Sequence, residues 1–428
     1  MTAAYSLSKL RSLRWLAAII LPIALMACGS GHDDDDPTPP DDTEQPTPPD
    51  TRNQAYLNTQ MGDVIKVRIE ELHPTQDALG YDQIYYKLGR WQGDFDRPTW
   101  QADETAQLDY LNRTVGKKFD DYCEDNGGSE RAEEFQTIEE AKAARLDDDT
   151  TFECKDAPGT DADALKTVVV GWDGNLYLTD GHHTFSALRE ISDGGPTLNV
   201  WVKVDANYSD MTSRDAFWQR MVDERKTWLR DGNNQPITVD QLPTRVGLAS
   251  DTEAGGMSED KYRSLVYFTR DIGYDNGDLP EFAEFLWGDW LRNQTAAGKL
   301  KALTEYKLGA PSDVADILAE STLKKDLTPD GSDESYAALV RDAVLRMSQM
   351  NDTDVVYEDL TAAQMGRIAL VADADSDSQT KTARDTLEEL VRNDVKKDGT
   401  PRGAGKLWFA VNYRLCGKPA AGTDCWGW

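Results

Sequence analysis

Lys166-Thr167-Val168-Val169-Val170-Gly171-Trp172-Asp173-Gly174-Asn175-Leu176-Tyr177-Leu178-Thr179-Asp180-Gly181-His182-His183-Thr184 is the stretch from which the fold is read. Its β-branched run, Lys166 to Gly171, marks a strand. Asp173-Gly174 at the centre of the next four residues is a strong hairpin signal. Leu176 to Thr179 is the return strand, and Thr184 to Ile191 reads as a helix. Asp180-Gly181-His182-His183 lies at the mouth of that helix. Asp180 is placed to N-cap it. Gly181 permits a tight turn and close approach of a ligand to the backbone. The amides of His182, His183 and Thr184 then point outward with the positive end of the helix dipole, which makes an anion site. The chain has four histidines, and two of them sit here. They add donors and a group that titrates near neutral pH. Consecutive helical residues point about 100° apart, so one imidazole at most is expected to face a ligand. The alternative is a capped turn with one buried and one exposed histidine.

Working outward, Gly62 to Ile69 is rich in β-formers and reads as a strand. Tyr81 to Leu88 has a helical face of Ile84, Tyr85 and Leu88. Gln107 to Tyr122 carries Leu108, Leu111, Val115 and Phe119 at helical spacing. The polar segment from Cys123 to Cys154 reads as a surface excursion holding one helix, Glu134 to Leu146. Leu198 to Val204 is another strand, and Ala216 to Leu229 another helix. Beyond about Ser250 strand signals fade. Lys261 to Asp271, Pro280 to Arg292, Thr295 to Tyr306, Ser312 to Leu323, Ser335 to Met350, Thr361 to Val371 and Thr382 to Val395 all carry helical spacing. The expected class is α/β (α+β): a small mixed-sheet domain at 56–245, with an insertion at 123–154, followed by a mostly helical C-terminal region at 246–428.

The N-terminus reads as a processing signal. Lys9, Arg11 and Arg14 form a positive region, and Trp15 to Met26 an apolar run too short to span a membrane. With Leu25-Met26-Ala27-Cys28 closing it, this run resembles the bacterial lipoprotein signal. The resemblance implies removal of residues 1–27, a lipid such as palmitate on Cys28, and attachment to a membrane through it. Gly29, not Asp, follows the cysteine, which by the rules of that family points to the outer membrane, facing the periplasm or the cell surface. Residues 28–55, with Asp33 to Asp36 and then Pro, Thr and Asp, have almost nothing apolar to bury and read as a disordered tether. Some 24 residues in extended form would reach roughly 70 Å.

Lys and Arg number 46 against 77 Asp and Glu, for a formal charge of −31. Loss of Lys9, Arg11 and Arg14 with the signal takes −31 to −34. No basic stripe is present, which argues against tight non-specific nucleic-acid binding. A phosphorylated small molecule or nucleotide, which needs only a local pocket, stays open. With Cys28 taken, Cys123, Cys154, Cys416 and Cys425 remain. An even count in an exported chain favours disulfides. Three pairings exist, and proximity favours Cys123–Cys154 and Cys416–Cys425. A metal site of four thiolates lacks any CxxC spacing. Asp373-Ala374-Asp375-Ser376-Asp377 starts like a calcium loop, but Ser378 replaces the Gly and Arg384 the bidentate Glu, so it is read as a loop. Trp426 and Trp428 either pack on the body or meet a partner. There is no Gly-x-Ser-x-Gly elbow, P-loop or HExxH helix. No metal site is assigned, and no cofactor is identified.

Val168 to Leu188 resembles the ParB-like nuclease family of the ParB/sulfiredoxin superfamily. Val64-Ile65-Lys66-Val67-Arg68-Ile69-Glu70-Glu71-Leu72-His73-Pro74-Thr75-Gln76, with Gly80-Tyr81-Asp82, is similar to the opening strand of that family and its Leu-x-Pro-Thr-Gln turn. Tyr262-Arg263-Ser264-Leu265 and Phe282-Ala283-Glu284-Phe285-Leu286-Trp287 resemble its downstream segments. The likeness spans about 60 to 292. It implies a small α/β fold in which the Gly181-His182-His183 turn takes the phosphate-binding position, and a nuclease-like activity. Relatives carry Gly-Glu-Arg-Arg or Gly-Cys-His-Arg there. Here no Arg follows closely, and Arg189 comes a turn or two later, so triphosphate binding is not carried over. The sulfiredoxin cysteine is also missing, so sulfinic reduction is not expected.

Two functions follow as expectations. One is a phosphodiester hydrolase in which His182 or His183 is general acid or base and Asp180 orients it. Gly181, Thr184, His73, Gln76, Lys87 and Arg90 would then hold the phosphate. The other is a non-catalytic periplasmic or surface binding protein that keeps the fold as a scaffold.

Overall fold

The computed structural model of the chain describes residues 50–92, 103–277, 279–280, 282–307, 334–369, 378–392 and 404–417. The signal, Cys28, the acidic run of the tether, Cys425, the segment 312–323, the loop 373–377, Trp426 and Trp428 lie outside those residues. The chain divides into residues 1–50 and a compact unit, Thr51–Trp428. Within that unit the backbone is already fixed at Asn53, whose N–H donates to Asp173 O at 2.8 Å. The last residues of the expected tether are therefore bound to the hairpin turn.

The strands among the described residues are β1 (Val64–Arg68), β2 (Leu72–Pro74), β3 (Ala78–Leu79), β4 (Lys166–Val170), β5 (Leu176–Leu178), β6 (Asn199–Asn207), β7 (Ser258–Glu259), β8 (Val355–Tyr357) and β9 (Leu360–Thr361), the last two pairing with each other in a region expected to be helical. Five form a mixed sheet in the order β1-β6-β4-β5-β2. β4 and β5 are the antiparallel hairpin that Asp173-Gly174 closes, while β6 with β4 and β2 with β5 run parallel. β6 alternates, with Val200, Val202 and Val204 fully buried, as period-two side chains on a half-covered sheet should. β4 is covered on both faces. Val168 and Val170 enter the main core, and Val169 enters an aromatic cluster with Tyr177, Phe217 and Trp218. Burial of each such valine contributes about 1.5–3 kcal/mol.

The helices are α1 (Tyr81–Arg90), α2 (Glu104–Arg113), α3 (Val115–Asp125), α4 (Ile138–Ala143), α5 (His182–Glu190), α6 (Arg214–Asp223), α7 (Lys261–Thr269), α8 (Ala283–Ala296), α9 (Tyr336–Ser348), α10 (Ser378–Val391) and α11 (Lys406–Cys416). The region after 246 is built onto the sheet domain. α11 lies along α1 so closely that a Cβ on Gly89 would stand 2.9 Å from Phe409 O. Parallel pairing of β3 with β7 sets the start of α7 beside the start of α1.

Several segments differ from their sequence reading: of Glu134 to Leu146 only Ile138–Ala143 is helical, and the helix expected to reach Leu229 ends at Asp223. The single helix expected at 107–122 is two, broken at Thr114, which has ψ of −80°. Thr295 to Tyr306 holds only the end of α8 and a single tight turn, Leu303–Glu305. The described part of the segment expected to be helical from Thr361 to Val371, residues 361–369, begins as a strand residue and then turns, because Gly366 takes a positive φ of 69° against Asp275 O.

The insertion is fastened at both ends. Cys123 and Cys154 are disulfide-bonded with Cα atoms 5.6 Å apart. Buried Lys118 pairs with buried Asp193, which also accepts the Leu146 N–H at 2.9 Å. Cys416 ends α11. Among the described residues no helix is long and apolar enough to cross a membrane.

Candidate phosphate-type site

The turn after β5 opens a cavity of about 460 Å³ whose lining includes Gly181, His182, His183 and Thr184. Gly181, not Asp180, is the N-cap of α5. It has φ of 96°, and no side chain caps the helix. Asp180 instead lines the cavity with an exposed side chain, 3.9 Å from Lys166 Nζ. The expected Asp180 cap is therefore absent. The first-turn amides of α5 precede any intrahelical acceptor.

The two histidines are fixed by backbone amides. Thr75 N–H donates to His182 Nε2 at 3.2 Å, and Gly80 N–H donates to His183 Nε2 at 2.9 Å. An Nε2 that accepts places the ring proton on Nδ1. Burial pushes His182 down to about 3. His183 is pushed well below its ordinary value by burial and then by Arg263, His182, Arg270 and Lys87. Both rings are thus neutral at pH 7, and both line the cavity, where the sequence led us to expect one. Thr75 is itself pinned, because its O accepts from Trp228 N–H at 3.0 Å and Thr227 Oγ1 at 2.6 Å.

The structure brings Gln76 and Lys87 to the same cavity. Gln76 Nε2 donates to Ala78 O at 2.8 Å. Two expected residues are elsewhere. His73 points to the other face of β2 and packs on the Tyr177 ring at 5.6 Å. Parallel pairing of β2 with β5 sets His73 opposite Tyr177, and it does not line the cavity. Arg90 lies one turn beyond Lys87 and donates to Arg113 O at 3.1 Å and Tyr86 Oη at 2.8 Å, lining a neighbouring cavity instead.

The cations that the turn lacks come from α7 and its end. Arg263 and Arg270 both line the cavity and both donate to Glu284 of α8, which also accepts from Tyr274 Oη at 3.0 Å. Arg263 is 4% exposed and its guanidinium lies over the Phe285 ring, yet its Nε and Nη1 have no hydrogen-bond partner in the protein, and neither has Arg270 Nε. Burial pulls the Arg263 guanidinium down to about 10, still charged at pH 7. Lys166 completes the set, with Asp125 bridging it to Lys87 at 3.4 Å on each side. Sequence reading assigned no role to Arg263, Arg270, Glu284, Lys166 or Asp125. The available signal was a single charged residue inside an otherwise apolar downstream motif, as in Tyr262-Arg263-Ser264-Leu265. Among the described residues no group of three or more His, Cys, Asp or Glu could hold a metal ion.

Chemically, the cavity offers free helix amides, two neutral imidazoles and buried guanidinium donors facing one volume. That suits a tetrahedral oxyanion. Residues 65–293 match a family model described as "Putative ParB-like nuclease". A crystal structure of the protein Atu1540 from Agrobacterium tumefaciens is 18% identical, covers 54% of this chain and 80% of its own, and superposes with a TM-score of 0.33. No curated protein matches the chain.

Proposed function

Since the chain belongs to the ParB-like nuclease family, we propose that its cavity binds the phosphate group of a phosphorylated ligand. One observation carries this reading. Arg263 is buried with two nitrogens lacking any hydrogen-bond partner in the protein, in a cavity that also receives the N-terminus of α5. Buried donors without partners cost about 1–3 kcal/mol each, and more for charged groups, so an anionic ligand would offset a real deficit. Calorimetric titration with inorganic phosphate tests it. Binding that is lost in Arg263→Ala and Arg270→Ala supports the site; absence of binding, or binding indifferent to both changes, overturns it.

Hydrolysis of a bound phosphoester is the second reading, favoured by the family. For His182 or His183 to act as general acid or base, a backbone bond to Nε2 must first break. Nδ1–H, by contrast, is a donor as it stands. Assays on phosphodiesters and phosphomonoesters with and without divalent metals decide between an enzyme and a binding protein.

We further propose that the chain is exported and lipid-anchored at Cys28. The Cys123–Cys154 bond supports this, because disulfides persist in oxidising compartments. Labelled palmitate should enter the wild-type chain and not Cys28→Ala; label retained by the variant would sink the proposal.

A further inference from the structure

Asp125 is an ionic oddity in a cavity built for an anion. It ends α3, two residues after the disulfide-bonded Cys123, and lines the same volume as Arg263 and His183. Its Oδ2 faces Lys87 Nζ and its Oδ1 faces Lys166 Nζ. Burial would raise the Asp125 carboxyl, but Lys87 and Lys166 outweigh burial and hold it below its ordinary range. Two further carboxylates are in the lining: exposed Asp180, near Lys166, and Glu284, clamped by Arg263, Arg270 and Tyr274. The cavity thus presents fixed donors and fixed ionised acceptors together. Each carboxylate oxygen accepts more than one hydrogen bond, so Asp125 keeps accepting capacity beyond its lysines.

From this pairing we propose that the site selects a phosphoryl group that carries a hydroxyl, namely a phosphomonoester or inorganic hydrogen phosphate, and rejects fully deprotonated oxyanions. The inference rests on the phosphate reading above and narrows it. A ligand P–OH donates to Asp125 while its remaining oxygens accept from Arg263, Arg270 and the α5 amides. The second ionisation of a phosphomonoester lies near ~6, so a protonated form is accessible at neutral pH. Sulfate and a phosphodiester have no such proton there. Either would set an unprotonated oxygen against a carboxylate, combining like-charge repulsion with an unmade hydrogen bond. Rejection by a missing donor is the stronger kind of discrimination, since a site built to hydrogen-bond a ligand hydroxyl leaves its own buried group unpaired when that hydroxyl is absent.

The test is calorimetric titration of the full chain in mild detergent at pH 7 with four probes: inorganic phosphate, phenyl phosphate, dimethyl phosphate and sulfate. Phosphate or phenyl phosphate should bind roughly 100-fold more tightly than sulfate and dimethyl phosphate. The relative strength of phosphate and phenyl phosphate then tells a free anion from an organic monoester. In Asp125→Asn the preference over sulfate should fall to within about threefold, because the amide can donate. Asp125→Glu, which keeps the carboxylate, should retain the order. Equal binding of sulfate and phosphate by the wild type, with Arg263→Ala abolishing both, overturns the selection while the site stands. Failure of every probe to bind overturns the site itself. The wild-type comparison decides the matter even where a variant does not fold.

Discussion

Thr75 and His182, more than one hundred residues apart in sequence, are joined by a buried hydrogen bond from the Thr75 amide to His182 Nε2 at 3.2 Å. The bond needs a neutral ring. The folded-state value of His182 is depressed to about 3 from 6.5, so the unfolded chain binds the proton first as pH falls. Stability from this residue is complete above about pH 6.5 and is lost as pH drops toward 3. At ~1.4 kcal/mol per pH unit, acidification from 6.5 to 4.5 should cost roughly 2–3 kcal/mol. His183 acts in the same sense. Asp77 and Glu259, raised by burial, act in the opposite sense at lower pH. In His182→Gln, whose amide oxygen can still accept, the slope of Tm against pH between 6.5 and 4.5 should shrink. An unchanged slope would exclude His182 as its source.

Gly181→Ala should damage stability and anion binding together. The residue has φ of 96°, and an added Cβ would stand 2.6 Å from Lys166 Cγ and 2.8 Å from Lys166 Cβ. The left-handed backbone alone costs an L-residue roughly 1–2 kcal/mol. Displacement of Lys166 adds to that and moves a cation of the cavity. Urea unfolding and phosphate titration of the same sample check both halves.

Reduction of Cys123–Cys154, or the Cys123→Ser and Cys154→Ser pair, should lower unfolding free energy by about 2–4 kcal/mol. The bond spans a sequence separation of 31 residues, and Cys123 is fully buried. Denaturation with and without reductant measures the cost. Because α3 carries both Cys123 and Asp125, phosphate affinity is expected to change in the reduced protein as well.

Lys118→Met should cost about 3–5 kcal/mol, since it leaves the Asp193 carboxylate buried with only the Leu146 amide. Burial already pulls Lys118 below its ordinary value, against the attraction of Asp193. Adding Asp193→Leu to Lys118→Met should recover most of the loss, as an apolar pair of similar volume often does. Chemical denaturation of the two single variants and the double variant closes the cycle.

What was legible in the sequence was local. The β4–β5 hairpin, the Gly181 turn and the start of α5 lie within twenty residues, and their turn chemistry and β-branching speak for themselves. The four-residue turn could not show that Gly181 would take the cap and free Asp180, because that depends on a positive φ set by packing against Lys166 and Phe185. His73 was read into the site through the family resemblance of its turn, yet the parallel pairing of β2 with β5 sets its ring against Tyr177. Arg263 and Arg270 were the largest omission. They lie some 80 residues from the turn, on a helix read as part of a separate region, and the β3–β7 pairing together with the packing of α7 on α1 carries them back to it. The charge absent after Gly181 stands instead on α7 and at its end, where Arg263 and Arg270 line the cavity.

That relocation has a consequence for how the cavity comes into being. Its contributors are drawn from α1, the end of α3, β4, α5, α7 and α8, so no fragment shorter than Gln76–Phe285 holds them all. A nascent chain released as far as residue 245 would own the turn and the histidines but none of the guanidinium donors from α7. Anion affinity should therefore emerge only with the last long-range contacts, and a ligand that binds the finished state alone will raise its stability by mass action. Occupancy of the cavity becomes a reporter of completed folding.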